Sequence, residues 1–185
     1  MRRKLLMGCS FVFSMPLFFF LVAFTTGFLL SAEHTMSLSA LYPQDRRTLW
    51  DVMTDVEHIA EWNVIVAKSE LLEPVDGKRV WRETDPADGS IAFRELEAEP
   101  PSRWVTEVYD VEASYAGQWE YTLTEEDGQT RLTITETGVV PNPFLRFVMR
   151  FLVGYDRFQR TYFESLAEHF GEEQVQIEMA PVEAP

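Results

Sequence analysis

The stretch Gly117–Phe147, GQWEYTLTEEDGQTRLTITETGVVPNPFLRF, changes its period once, and that change decides the fold. Up to Val139 the residues alternate. Trp119, Tyr121 and Leu123 fall on one face with Leu132 and Ile134 across the EEDGQ turn, while Glu120, Thr122, Arg131, Thr133 and Thr135 fall on the other. After VVPNP the repeat becomes helical, with Asn142 placed as an N-cap, Pro143 at the first helical position and Gly171 as the stop. Phe144, Val148, Phe151, Tyr155, Phe158, Tyr162 and Leu166 then form one stripe, with Arg146, Arg150, Arg157, Arg160, Glu164 and Glu168 opposite. A hairpin apolar on one face and a long amphipathic helix predict a sheet packed on that helix. Gly154 gives the helix a point at which to bend.

From Val75 onward, VDGK, DPADGS, EPPS, ASYAG and EEDGQ punctuate the chain at short intervals, each between runs of strand character. Before them NVIVAKSELLEP reads as another strand. Met36, Leu38 and Ala40 alternate with Ser37 and Ser39 in a first strand, and Pro43 opens a short helix carrying Leu49, Val52 and Met53. The chain breaks at Thr54 and Asp55, and VEHIAEW forms a second short helix ending at Trp62.

Order and motifs together, RRTLWDVMTDVEHIAEWN, the Gly117–Phe147 stretch and the closing helix, resemble the START-like or SRPBCC superfamily, especially its polyketide cyclase/dehydrase-like branch. The resemblance covers about Met36–Gly171. It implies an α+β helix-grip fold: a curved antiparallel sheet of about seven strands wrapped on a long C-terminal helix, with two short helices closing one end of a cavity and Trp62 at its rim.

The ends are set apart. Arg2, Arg3 and Lys4 precede a run without charge from Leu5 to Ala32, which as a helix would reach about 39 Å from Leu5 to Leu30 against a hydrocarbon core of about 30 Å. Residues 1–32 are therefore expected to be a cytoplasmic stub and a transmembrane anchor, placing a 33–171 domain on the outer, periplasmic or extracellular, side as a single-pass membrane protein. Residues 172–185 read as a disordered acidic tail. Cys9 is the only cysteine, so the domain has no disulfide. All 30 acidic residues but only 13 of the 16 basic ones lie beyond residue 32. That field repels phosphate backbones, so nucleic acid is not an expected partner.

The chemistry-bearing residues are sparse. His34, His58 and His169 are read as lying outside the strands, with no HxxxH or CxxC spacing, so neither a metal nor any other cofactor is expected. Glu83, Glu95, Glu97, Asp110 and Glu136 lie in or beside strands, where an inward one could serve as a base, although a solvated face accounts for most. Arg79, Arg82 and Arg94 could bind a carboxylate if inward, with the exposed face as the plainer account. Trp62, Trp81, Phe93, Trp104, Trp119 and Tyr121, met by Phe151, Tyr155 and Phe158 from the helix, are the candidate ligand-binding residues. Large rings with a polar atom suit a pocket for a hydrophobic small molecule or lipid, and they suit a packed core as well. Three functions stay open: a membrane-anchored binder of such a molecule, a cyclase or dehydratase using an inward carboxylate or Tyr, and a protein-interaction domain without a ligand.

Overall fold

The computed structural model describes residues 5–110 and 115–182. In chain order it contains α1 (Leu5–Leu29), β1 (Glu33–Tyr42), α2 (Arg46–Thr54), a 3-10 turn (Ile59–Glu61), β2 (Lys68–Leu71), β3 (Val80–Thr84), β4 (Ser90–Glu99), β5 (Arg103–Val108), β6 (Ala116–Glu126), β7 (Gln129–Val139), α3 (Pro143–Val148), a π turn (Met149–Val153), α4 (Arg157–His169) and β8 (Ile177–Met179). Two compact units result: residues 1–33 with 140–155, and residues 34–139 with 156–185.

In the first unit α1 meets α3 through aromatic rings. Phe19 is edge-on to Phe147 at 6.0 Å, and Phe20 stacks on Phe144 at 5.2 Å. The Arg146 guanidinium donates to the carbonyls of Leu30 (3.1 Å) and Gly27 (3.4 Å), satisfying acceptors that the end of α1 leaves open and setting a cation at its negative pole. Among the described residues no helix is long and apolar enough to cross a membrane. This overturns the expected single-pass anchor, the membrane as partner and the outer-side location. Arg2, Arg3 and Lys4, on which the orientation rested, lie outside the described residues.

The second unit is the helix-grip part. Its eight-stranded sheet has the order β2-β3-β4-β5-β6-β7-β1-β8, with antiparallel pairing from β2 through β7 and between β1 and β8. β6 and β7 form the expected hairpin, in register from Ala116↔Val139 to Glu126↔Gln129 around the two-residue Asp127-Gly128 turn. α2 starts later than expected. Asp45, not the segment at Pro43, is its cap, accepting from the backbone of Arg47 and Thr48 at 2.9 and 3.0 Å. The second short helix is a single 3-10 turn, and of NVIVAKSELLEP only Lys68–Leu71 is strand.

Two further expectations fail at the C-terminal side. The closing helix is not continuous: the π turn ends at Gly154, whose φ of 89° only glycine adopts readily, and α4 starts afresh. Its phase is reset there. α4 therefore buries Gln159, Tyr162, Phe163 and Leu166, while Phe158, counted in the stripe, is 53% exposed. The tail expected to be disordered supplies β8, pairing Leu38↔Met179 through Ala40↔Ile177 with β1, which raises the strand count to eight. Its last three residues lie outside the described residues.

The core fills the space between α2, α4 and the sheet. Leu38, Leu49, Met53, Leu123, Leu132, Ile134, Phe163 and Leu166 are each no more than 1% exposed, and the Tyr42 hydroxyl donates to the Phe163 carbonyl at 2.8 Å.

Candidate functional site

Cross-strand register assigns the inner face. Leu123 stands opposite Leu132, Tyr121 opposite Ile134, and Trp119 opposite Glu136; Trp104 pairs with Tyr121, Thr106 with Trp119, and Trp81 with Phe93. From these positions the rings run as a continuous wall: Trp62, Tyr162, Tyr121, Trp104, Trp81, Phe93, Trp119 and Tyr115, with successive centroids 5.0 to 5.8 Å apart. Six expected site residues, Trp62, Trp81, Phe93, Trp104, Trp119 and Tyr121, are thus together. Phe151 and Tyr155 belong to the first unit, where Phe151 lies 5.1 Å from Phe147 and is 55% exposed. Phe158 faces outward because of the break at Gly154. Tyr115 and Tyr162 join the wall unanticipated.

Three carboxylates face inward among these rings, each with different partners. Glu95 accepts from the Trp104 indole at 2.9 Å and from Arg79 at 2.7 Å. Arg79 in turn donates to the Thr54 carbonyl at the end of α2 and lies about 6 Å from the Trp81 and Trp104 rings, so it is consumed within the fold and not left to bind a ligand. Glu136, 5% exposed, is held by His34 (3.2 Å), Tyr115 (2.5 Å) and Gln159 (3.4 Å). His34 stands in β1, which begins before Met36, so the reading that kept every histidine out of the strands is corrected. Its imidazole and the Tyr115 ring cross directly over Gly138, where a Cβ would fall 2.4 Å from His34.

Glu83 differs from both. Its Oε1 accepts from the Trp81 indole at 2.8 Å, and among the described residues no cation pairs with it. Burial pushes the carboxyl up to about 7, the indole bond only partly opposing this. Its charge is felt by Tyr121 and Tyr162, both held above the usual phenol range, first by burial.

The remaining candidates face outward. Arg94 pairs with Glu107, Arg103 bridges Glu97 and Glu120, and Arg82 lies across from Ala92 on the opposite face from Trp81. His58 pairs with exposed Asp55, and His169 packs beside Phe170. Among the described residues no group of acidic, His or Cys side chains could hold a metal ion.

Several enclosed polar atoms have no partner among the described residues: Trp62 Nε1, Tyr162 Oη, Gln159 Oε1 and, directly across from Glu83, Ser69 Oγ. Trp62 and Tyr162 are each 8% exposed. Phe93, Trp119 and Tyr121 are only half-buried although they point to the inner side. Such groups are uncommon in a filled core.

The family model for activator of Hsp90 ATPase homolog 1-like proteins matches residues 44–171. The chain belongs to this family. Many solved structures share its fold. The Zhui aromatase/cyclase from Streptomyces sp. R1128 is similar with a TM-score of 0.64 and 16% identity, over 74% of this chain and 93% of that one. The di-domain aromatase/cyclase StfQ of the steffimycin biosynthetic pathway gives a TM-score of 0.60 at 10% identity, over 76% and 53%. A protein from Mesorhizobium loti gives 0.58 at 18%, over 76% and 99%. No curated protein matches the sequence. At these identities the likeness carries the fold alone.

Proposed function

We propose that the second unit binds a hydrophobic small molecule containing a fused or extended ring system and at least one polar group, seated between the ring wall and α4. The observation that carries this reading is the pairing of half-buried inner rings with enclosed polar atoms that have no protein partner, Trp62 Nε1 and Tyr162 Oη foremost. Flat rings spaced 5.0 to 5.8 Å apart favour an aromatic guest over a saturated chain, because edge and face contacts add to simple burial. Removal of apolar surface from water contributes about 25 cal/mol per Å². A donor at Trp62 and a hydroxyl at Tyr162 then fix the orientation.

A second reading is favoured by one group. Glu83, half ionised near neutrality beside Tyr121, is poised for general acid–base work such as dehydration or cyclisation of a bound ring precursor. Two fold neighbours are aromatase/cyclases. This second reading needs turnover; the first needs only binding.

Titration of the full chain with 2-naphthol, followed by tryptophan fluorescence and calorimetry, tests the binding reading. Saturable one-to-one binding that weakens at least tenfold in Trp104→Leu and severalfold in Tyr162→Phe is expected. Absence of saturable binding by any fused-ring probe, or affinity indifferent to both substitutions, overturns it.

A further inference from the structure

We propose that the inner face selects a ligand bearing a protonated amine, which pairs with the Glu83 carboxylate inside the aromatic wall. The inference rests on the binding reading above and names the class of ligand. Its argument is a charge account of the inner face. Glu95 is matched by Arg79 at 2.7 Å, and Glu136 is held by His34, Tyr115 and Gln159. Glu83 has only a neutral indole. Among the described residues it is the inward carboxylate with neither a cation nor a histidine against it, and burial raises its carboxyl toward the neutral form.

The groups around it suit an ammonium and not an anion. Ser69 Oγ, opposite Glu83 in the β2–β3 register, and Tyr162 Oη are enclosed, lack partners and can accept hydrogen bonds, as can the carboxylate itself. The rings present faces that attract cations, and Arg79 already sets its guanidinium about 6 Å from two of them, Trp81 and Trp104. A carboxylate ligand would meet Glu83, Glu95 and Glu136 with Arg79 already engaged. A neutral alcohol can give Glu83 one more hydrogen bond but no charge. A cation therefore gains most from ionising it.

The groups facing Glu83 from neighbouring elements set the pH behaviour. Tyr42, Tyr121 and Tyr162 are all held above the phenol range by burial and stay neutral across pH 5.5–8. Arg79 with Glu95, and His34 with Glu136, are paired. Arg82 and Glu70 stand on the other face. An amine that requires ionised Glu83 therefore binds more tightly as pH rises through about 7, by about tenfold between pH 6 and pH 8, and releases a proton when it binds at the lower pH.

The experiment compares three shape-matched probes on the full chain: 2-naphthylmethylamine, 2-naphthylmethanol and 2-naphthoate, by calorimetry at pH 5.5, 7 and 8 in buffers of differing ionisation enthalpy. The amine is expected to bind at least tenfold more tightly than the alcohol at pH 8, with the gap narrowing at pH 5.5 alongside measurable proton release, and the naphthoate to bind weakest. Glu83→Gln should abolish the amine preference over the alcohol. The wild-type pH profile and proton release need no variant, so a misfolded Glu83→Gln would not shield the idea. Alcohol and amine binding equally at pH 8 would overturn the amine assignment while the binding reading stands. A preference or pH slope that survives Glu83→Gln would assign the charge to the His34–Glu136 pair instead and likewise overturn it. Failure of all three probes to bind would remove both.

Discussion

Leu123 and Trp119 stand on the same strand and point to the same face, yet their surroundings differ in kind. Leu123 stands opposite Leu132 in the buried cluster that also holds Leu38, Phe163 and Leu166, all sealed from solvent. Around Trp119 they are Phe93, Tyr115 and, across β7, Glu136, with half-buried rings and carboxylates among them. One part of the inner face is finished with hydrocarbon; another carries rings and inward carboxylates, and enclosed polar atoms without a partner among the described residues, Trp62 Nε1, Tyr162 Oη and Ser69 Oγ, stand elsewhere along the same face. In a domain built only to be stable the second arrangement would be a defect.

The largest effect expected from this contrast is in the hydrocarbon part. Phe163→Ala removes a fully buried ring and should lower unfolding free energy by about 3 to 5 kcal/mol in urea denaturation. A comparable truncation on the wall, Trp119→Ala, should cost clearly less, because a ring beside a hollow loses fewer contacts. Equal losses would break the comparison and show a core filled throughout.

Next in size is the pH response of Glu83. Its carboxyl titrates near the ordinary 4.5 in the unfolded chain and at about 7 in the fold. Between those values the native state holds the extra proton, so Glu83 leaves stability undiminished below about pH 4.5, removes it progressively as pH rises, and reaches its full penalty above about 7. At roughly 1.36 kcal/mol per pH unit the penalty is about 3 kcal/mol. Glu83→Gln should therefore gain about that much on wild type between pH 5 and pH 8. Parallel profiles would place the carboxyl in water and dissolve the distinction it marks.

The sequence carried the sheet, the hairpin and six of the wall's rings because period-2 alternation survives wherever register is regular. It failed where register shifts. A bulge in β4 between Glu95 and Glu97 sends Glu95 inward to Trp104 and Arg79 and Glu97 outward to Arg103, although alternation alone would put both on one face. The break at Gly154 did the same to the helix: a single 100° stripe drawn through Phe151, Tyr155 and Phe158 ignores a reset of phase, so the buried Gln159 and Phe163 were missed. Uncharged length suggested a membrane pass, whereas the aromatics of α1 meet Phe144 and Phe147. Glu83 could be named as a candidate from its strand; its lack of a counter-charge depends on where every other charge points, which no local pattern encodes.

Glu136→Gln should produce a smaller loss, about 1 to 3 kcal/mol. The isosteric amide keeps the shape but turns one acceptor oxygen into a donor, which can no longer serve His34, Tyr115 and Gln159 together. Chemical denaturation at pH 7 measures it. A neutral outcome would mean that the cluster is solvated and does not bound the lined part.

The smallest effect belongs to the outer face, which serves as the control for everything argued of the inner one. Arg94 lies opposite Glu107 in the β4–β5 register and covers the Tyr109 ring at 4.5 Å, on the opposite face of β4 from Phe93. Its pair resembles Arg79–Glu95 in composition and in partial burial but not in partners: no indole or helix terminus completes it. Arg94→Ala should cost under about 1 kcal/mol and leave fused-ring binding unchanged within twofold, whereas Arg79→Ala should cost more, since it strips Glu95 of its cation and Thr54 of its donor. If the two substitutions prove equal in both stability and binding, the arginine facing the rings is no more engaged than the one on the outer face, and the inner face loses its claim to be organised around charge.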